Sequence, residues 1–350
     1  MKIPVSIHSL ATATPPNILD QTTGAQVAEQ LLGGAFEDFG RLRAIYGNAG
    51  IEFRQLARPV AWYMQPRTIV ERTEVYLEVA LDLFVEAAEK ALAESGIAAH
   101  EVDAIVTVSS TGIATPSLEA RAMGRMGFRS DVSRVPVFGL GCAGGVTGLG
   151  LAAKLAQVGR GATVLFVTVE LCSLALRTEN VGKADVVSTA LFGDGAAACV
   201  IRSGDEGFTQ ISGSAEKTWA DTLDIMGWQM ESAGLGVILN RAIPAFARKE
   251  FRGAVEEMLT PQNIHIDEVD RFICHPGGAK VVDSIEVALA LPQGSLNDER
   301  EVLYRHGNMS APTALFVLDR VRKQGLPPLA VMTALGPGFT ASTVTLRSAA

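Results

Sequence analysis

Three residues of unlike chemistry, Cys142, His275 and Asn308, each stand where an apolar run gives way to glycine, in GCAGG, CHPGG and GNMSA. Together a cysteine, a histidine and an asparagine can run acyl transfer. The thiolate attacks a thioester carbonyl and the imidazole takes and returns the proton. The neutral amide donates to the oxygen on which charge develops, where a carboxylate would repel it. A thiol at a helix start sits among unpaired N–H groups that favour thiolate, and an imidazole alongside favours a thiolate–imidazolium pair. Taken singly, each residue has a plainer reading: Cys142 as a small buried hydrophobe, His275 as a satisfied core histidine, Asn308 as a helix N-cap.

The stretch around the cysteine, from Val135 to Ala153, carries no charge. A membrane span needs about 20 predominantly apolar residues, but this one is broken by Pro136 and by glycines at 139, 141, 144, 145, 148 and 150. GLGCAG also matches the dinucleotide pattern GxGxxG. That fingerprint wants an acidic residue about 20 positions on, and Glu170 comes late for it. The glycines instead allow a bulky thioester to approach the backbone closely. A net charge of −8 argues against nucleic acid as a partner, and 48% hydrophobic residues argue against disorder. The four cysteines, at 142, 172, 199 and 274, lack metal-ligand spacing and suit reduced thiols in a cytoplasm. The N-terminus, MKIPVSIHSL, does not read as a signal peptide.

The elements that must position these residues alternate between strand and helix, so the fold class is α/β. VDAIVTVSS, ATVLFVTVE, AACVIRS, VDRFICH, LAVMTAL and STVTLRS read as strands, and residues 73–95 as an amphipathic helix stopped by Gly96. The chain also repeats itself. Glu101-Val102-Asp103 and Glu268-Val269-Asp270 each open a strand. Cys142 and Asn308 follow at matching separations, and FGDGAAACVIRS and LGPGFTASTVTLRS close the two halves. The division falls at SGDEG, giving residues 1–205 with the nucleophile and 206–350 with the histidine and asparagine. Two such halves about a pseudo-twofold axis would bring Cys142, His275 and Asn308 to one cavity.

GCAGG, LFGDGAAA, CHPGG, YRHGNMSAPT and GPGFT, in this order and spacing, resemble a type III polyketide synthase of the chalcone synthase superfamily. The resemblance covers essentially the whole chain. It implies a thiolase-like five-layer αβαβα fold of two duplicated halves, a homodimer, and no cofactor or metal, with CoA thioesters as substrates. It implies that Cys142 accepts an acyl group from acyl-CoA, that His275 and Asn308 complete its triad, and that malonyl-CoA extends the chain before cyclisation.

The same resemblance gives Phe192 a gatekeeping place between CoA tunnel and cavity, and sets Cys172, Ser110 and Thr111 along the cavity. Arg54 falls in a CoA-contacting stretch that is poorer in basic residues than in plant members, and Gly277 and Gly278 border the same path. Two departures concern the substrate. Val237 replaces a second gatekeeping phenylalanine, and Thr115 stands for a methionine that closes the partner's cavity. Both exchange a large side chain for a smaller one, although Trp228 refills part of the space. The expected starter is a medium- or long-chain fatty acyl-CoA, and the product an alkylpyrone or alkylresorcinol type. Aromatic or malonyl starters stay open. So do three other readings: an initiating β-ketoacyl-carrier-protein synthase, a cysteine hydrolase, and an acyl-binding scaffold without turnover. In the carrier-protein synthase the histidine is followed by Gln-Ala-Asn; here Pro276-Gly277-Gly278 follows.

Overall fold

The computed structural model describes residues 3–178, 181–204, 206–231 and 234–348. One nine-stranded mixed sheet carries the fold. From edge to edge it runs Arg271–Cys274, Leu329–Gly336, Thr340–Arg347, Thr209–Thr218, Val5–Ala13, Asp194–Ser203, Thr163–Leu171, Ala104–Val108 and Ser133–Val137. Pairing is parallel towards each edge and antiparallel between. The two halves of the sheet join where Ser6 pairs with Gln210 and Ile7 with Thr209.

Successive strand residues face opposite layers. Val106, Val164, Phe166, Met332 and Val344 pack on two inner helices, Gly144–Ala156 and Pro312–Gln324. Their neighbours Ile105, Leu165 and Val167 pack under the long helix Ile69–Ser95. On the other half, Val331, Leu335 and Ala341 pack under Ile243–Leu259 and Ala279–Ala288. Helix, sheet, helix pair, sheet, helix gives the five αβαβα layers expected from the sequence.

The repeat is visible in hydrogen bonds. Asp103 N–H donates to Thr163 O at 2.9 Å and Asp270 N–H to Leu329 O at 3.0 Å. Each aspartate side chain accepts the return bond, at 2.9 Å, from Thr163 N–H and Leu329 N–H. Glu101 and Glu268 likewise accept from the backbone N–H of Ala98 and His265. The same three-residue device thus opens the first parallel strand of each half.

The six sequence-read strands are present, with ends shifted by a residue or more. The helix expected at 73–95 starts earlier, at Ile69, because Thr68 and Glu71 close a capping box ahead of the apolar stripe. Gly96 ends it at φ +67°. Sequence reading missed Val5–Ala13, the central strand. Its Ser6 and Ser9 are fully buried and hydrogen-bond to Gly204 O and Ala91 O, so the polar letters that break its pattern are satisfied inside the core.

Candidate active site

Cys142 lies in the 3-10 turn Gly141–Ala143, which leads directly into the inner helix Gly144–Ala156. His275 follows the strand Arg271–Cys274, its N–H bonded to Thr333 O at 2.8 Å. Asn308 precedes the other inner helix, Pro312–Gln324. The three are 6%, 3% and 2% exposed and line one cavity of about 590 Å³. Both sheet halves therefore contribute to a single buried site.

Both atoms of the Asn308 amide lie 3.9 Å from Cys142 Sγ. The amide is oriented by its surroundings: Oδ1 accepts from Ser310 N–H at 2.7 Å, and Nδ2 donates to Gly277 O at 3.3 Å. Asn308 is not the helix cap that the sequence suggests, since the helix begins beyond it with Ala311 as N-cap. Both ring nitrogens of His275 are buried and without a partner among the described residues. Its imidazole is free to meet substrate.

Burial sets the resting charges. Desolvation pushes the Cys142 thiol up to about 11, against weaker help from hydrogen bonds by Ser310 and Asn308. The same cause pushes His275 down to about 3. Each group alone is held neutral. The thiolate–imidazolium pair expected from sequence is not the state these surroundings favour before substrate arrives.

The glycines around the cysteine have a different reason from the one read in sequence. A Cβ on Gly145 would stand 2.2 Å from Ala311 O, on Gly144 2.6 Å from Val108 Cγ1, and on Gly148 2.6 Å from the Phe166 ring. These positions let the nucleophile helix press against the other inner helix and the sheet. Gly141, at φ +49°, turns the chain into the cysteine where a Cβ would strike Pro337.

Other expected site residues divide. Phe192, Trp228, Val237, Gly277 and Gly278 line the catalytic cavity. Cys172 does not; it lines a smaller apolar pocket that shares Phe192 and Trp228 with the cavity. Ser110 and Thr111 also stand off the cavity, behind the nucleophile. Ser110 Oγ accepts from Gly139 N–H and Gly141 N–H, at 3.3 and 3.1 Å. Ser110 N–H and Thr111 Oγ1 donate to the buried carboxyl of Glu170. They hold the cysteine loop in place. Thr115 is exposed, beside exposed Ile113, and is not among the residues that line the catalytic cavity.

Arg54 is a correction. It is 3% exposed, and its Nη1 donates to the carbonyls of Thr189 and Phe192, at 3.0 Å in the latter case. It faces inward, away from the surface. The cations the sequence reading missed are Lys183, Arg241 and Lys280, which line the cavity at its exposed rim and form no ion pair among the described residues. They come from three separate elements, so no run of basic letters marks them.

A buried thiol, an imidazole without a partner among the described residues and an oriented amide share one cavity between the two halves, an arrangement that suits a condensing acyltransferase. The chain matches the models for chalcone and stilbene synthases, the N-terminal domain over residues 52–205 and the C-terminal domain over residues 210–350. It belongs to that family, the type III polyketide synthases. It is 36% identical to a protein of Streptomyces peucetius subsp. caesius named 1,3,6,8-tetrahydroxynaphthalene synthase, over 98% of this chain and 93% of the other. Its fold matches the crystal structure of 1,3,6,8-tetrahydroxynaphthalene synthase from Streptomyces coelicolor A3(2), with a TM-score of 0.93, 23% identity and 99% of each chain covered. It also matches PKS-I from the brown alga Ectocarpus siliculosus, with a TM-score of 0.92 and 25% identity, over 100% of this chain and 99% of the other. Among the described residues, no helix is long and apolar enough to cross a membrane.

Proposed function

We propose that this polyketide synthase loads Cys142 with a medium- or long-chain fatty acyl group from acyl-CoA, extends it with malonyl-CoA, and cyclises the product to an alkylpyrone or alkylresorcinol type. The observation that carries the reading is the cavity of about 590 Å³, in which Cys142, His275 and Asn308 meet walls such as Met226, Val237, Ile238, Leu239, Val281 and Leu335. An apolar chamber of this size suits a flexible hydrocarbon chain.

In the first half-reaction His275 takes the Cys142 proton. The thiolate adds to the acyl-CoA carbonyl, the carbon–sulfur bond to CoA breaks, and the CoA thiolate leaves with the proton from His275. Malonyl-CoA then enters. Its carboxylate leaves as CO₂, and the electron pair forms an enolate whose oxygen accepts from Asn308 Nδ2 and the imidazole. The enolate carbon bonds to the acyl carbon, the bond to Cys142 breaks, and the departing thiolate takes up one proton from solvent through His275, which restores the neutral pair. The β-ketoacyl-CoA formed is two carbons longer and can be reloaded. Lys183, Arg241 and Lys280 would hold the CoA phosphates at the rim, in place of Arg54.

A second reading draws on the named relative at 36% identity, that of a tetrahydroxynaphthalene synthase primed by malonyl-CoA. Incubation with malonyl-CoA and a starter series from acetyl- to eicosanoyl-CoA plus coumaroyl-CoA, read by mass spectrometry beside Cys142→Ala, separates the two. Alkylated products that vanish in the variant support the first reading. Tetrahydroxynaphthalene from malonyl-CoA alone supports the second. No condensation with any CoA thioester overturns both and returns attention to carrier-protein substrates.

Two further readings accompany this one. We place the enzyme in a reducing cytoplasm, because its four cysteines are buried and unpaired. It acts as a homodimer, the exposed edge strand Ser133–Val137 with exposed Phe138 and Ile113 offering the contact.

A further inference from the structure

Beside the catalytic cavity lies the smaller pocket, of about 70 Å³. Phe192 and Trp228 line both spaces, with ring centroids 6.2 Å apart and planes tilted by 44°. This ring pair is the partition. The far side is apolar, walled by Leu19, Val27, Ala28, Leu56 and Leu176, with one charged exception, Arg54.

The Arg54 guanidinium is buried, yet only Nη1 is engaged, by the carbonyls of Thr189 and Phe192. Nε and Nη2 have no partner among the described residues. A Cβ on Gly24, another wall residue, would stand 2.9 Å from Nη2, so glycine at this wall position leaves room for the guanidinium. Asp194 exerts its charge on Arg54, but its own oxygens are taken by Ala57 N–H, Ser173 N–H and the Ser173 hydroxyl. A buried cation with two idle donors is unfavourable until an acceptor reaches it. Nε and Nη2 share one edge of the guanidinium plane, the edge that takes a carboxylate through two parallel bonds.

We propose that this pocket is the subsite for the far end of the starter acyl chain, and that Arg54 gives it a preference for a carboxylate over a methyl at that end. This rests on the reading of the enzyme as one that condenses acyl-CoA starters. A chain on Cys142 that passes between Phe192 and Trp228 brings its last atoms to Nε and Nη2. A methyl-ended chain leaves the guanidinium unanswered and folds within the larger cavity.

The test is a matched series of acyl-CoAs from butyryl to palmitoyl, each beside its ω-carboxy counterpart, with kcat/KM for condensation measured for both. At the length that spans the partition the carboxylate form should lead by about tenfold or more, as a paired charge-assisted contact warrants. Arg54→Gln should abolish that ratio. Arg54 also holds two carbonyls, so Ala28→Phe, which fills the pocket and leaves those bonds in place, provides the second variant and should abolish the ratio too. Ratios near one at every length in the unaltered enzyme, with methyl-ended starters turned over, overturn the subsite. So does a carboxylate preference that survives Ala28→Phe. Failure of every starter to condense instead overturns the proposed function.

Discussion

Phe192 and Asn308 face each other across a single parallel bridge that joins the two halves beside the nucleophile. Asn308 N–H donates to Leu191 O at 2.9 Å, and Gly193 N–H donates to Asn308 O at 3.0 Å. The residues flanking the aromatic partition are thus stitched to the backbone of the residue that presents the amide. The stitching uses only main chain, so it does not depend on the Asn308 side chain. Asn308→Ala should keep the fold and thermal midpoint close to the parent while lowering kcat for condensation about 10²–10³-fold, the usual cost of one aimed donor. Asn308→Asp should not restore the rate, because a carboxylate faces the developing enolate. Steady-state rates beside melting curves check both, and a rate near that of the parent for either variant refutes the role.

His275 and Cys142 are each held neutral by burial, so the thiolate depends on the pair. Removing the imidazole leaves the thiol without a base to take its proton, under a desolvation that pushes it up and that the hydrogen bonds of Ser310 and Asn308 only partly offset. In His275→Gln the pH midpoint for alkylation of Cys142 by iodoacetamide should move to higher pH than in the parent. At neutral pH the alkylation rate should fall with it. An unchanged midpoint would mean that the helix start and Ser310 alone stabilise the thiolate.

Lys183, Arg241 and Lys280 ring the opening of the cavity without ion pairs of their own among the described residues. Replacing any one with alanine should raise KM for acyl-CoA several-fold and leave kcat near the parent value. The effect should shrink in high salt, since exposed charges are screened beyond about 8 Å at physiological ionic strength. An acyl-N-acetylcysteamine thioester, which has no phosphates, should show no such change. An equal loss with both substrates would assign the three residues to cavity shape.

The layered fold, and the meeting of Cys142, His275 and Asn308 in one cavity, were legible because each signal is local: a cysteine, histidine or asparagine before glycine, and strands read from short apolar runs. What was not legible depends on the face a residue presents. Arg54 sits among surface-like letters in GIEFRQL, yet its strand Phe53–Leu56 turns it inward. Ser110 and Thr111 follow a strand end that points at the active site, but their side chains engage Gly139, Gly141 and Glu170 instead. The glycines near Cys142 looked like room for substrate. For Gly144 and Gly145 a constraint is Ala311, which lies far along the chain and becomes a neighbour only through packing of the two halves.

Glu170, at the end of this network, links stability to catalysis. It is fully buried, and burial raises its carboxyl to about 8, against the hydrogen bonds from Ser110 and Thr111. In the unfolded chain a glutamate titrates near ~4.3. Between those values the folded protein keeps a proton that the unfolded chain has lost, so stability falls as pH rises from about 5 to about 8. Below that window both states are protonated and the contribution is constant. Asp194, raised to about 7 chiefly by burial, acts in the same direction over a lower range. Glu170→Gln should flatten the loss of thermal stability towards about pH 8, leaving the share due to Asp194. The charge of Glu170 also raises the Cys142 thiol. A proton on this carboxyl therefore keeps a second anion away from the thiolate, and Glu170→Gln should hold kcat/KM to higher pH than the parent. A stability slope and an alkaline limb both unchanged in the variant would show that Glu170 is already ionised in the folded protein.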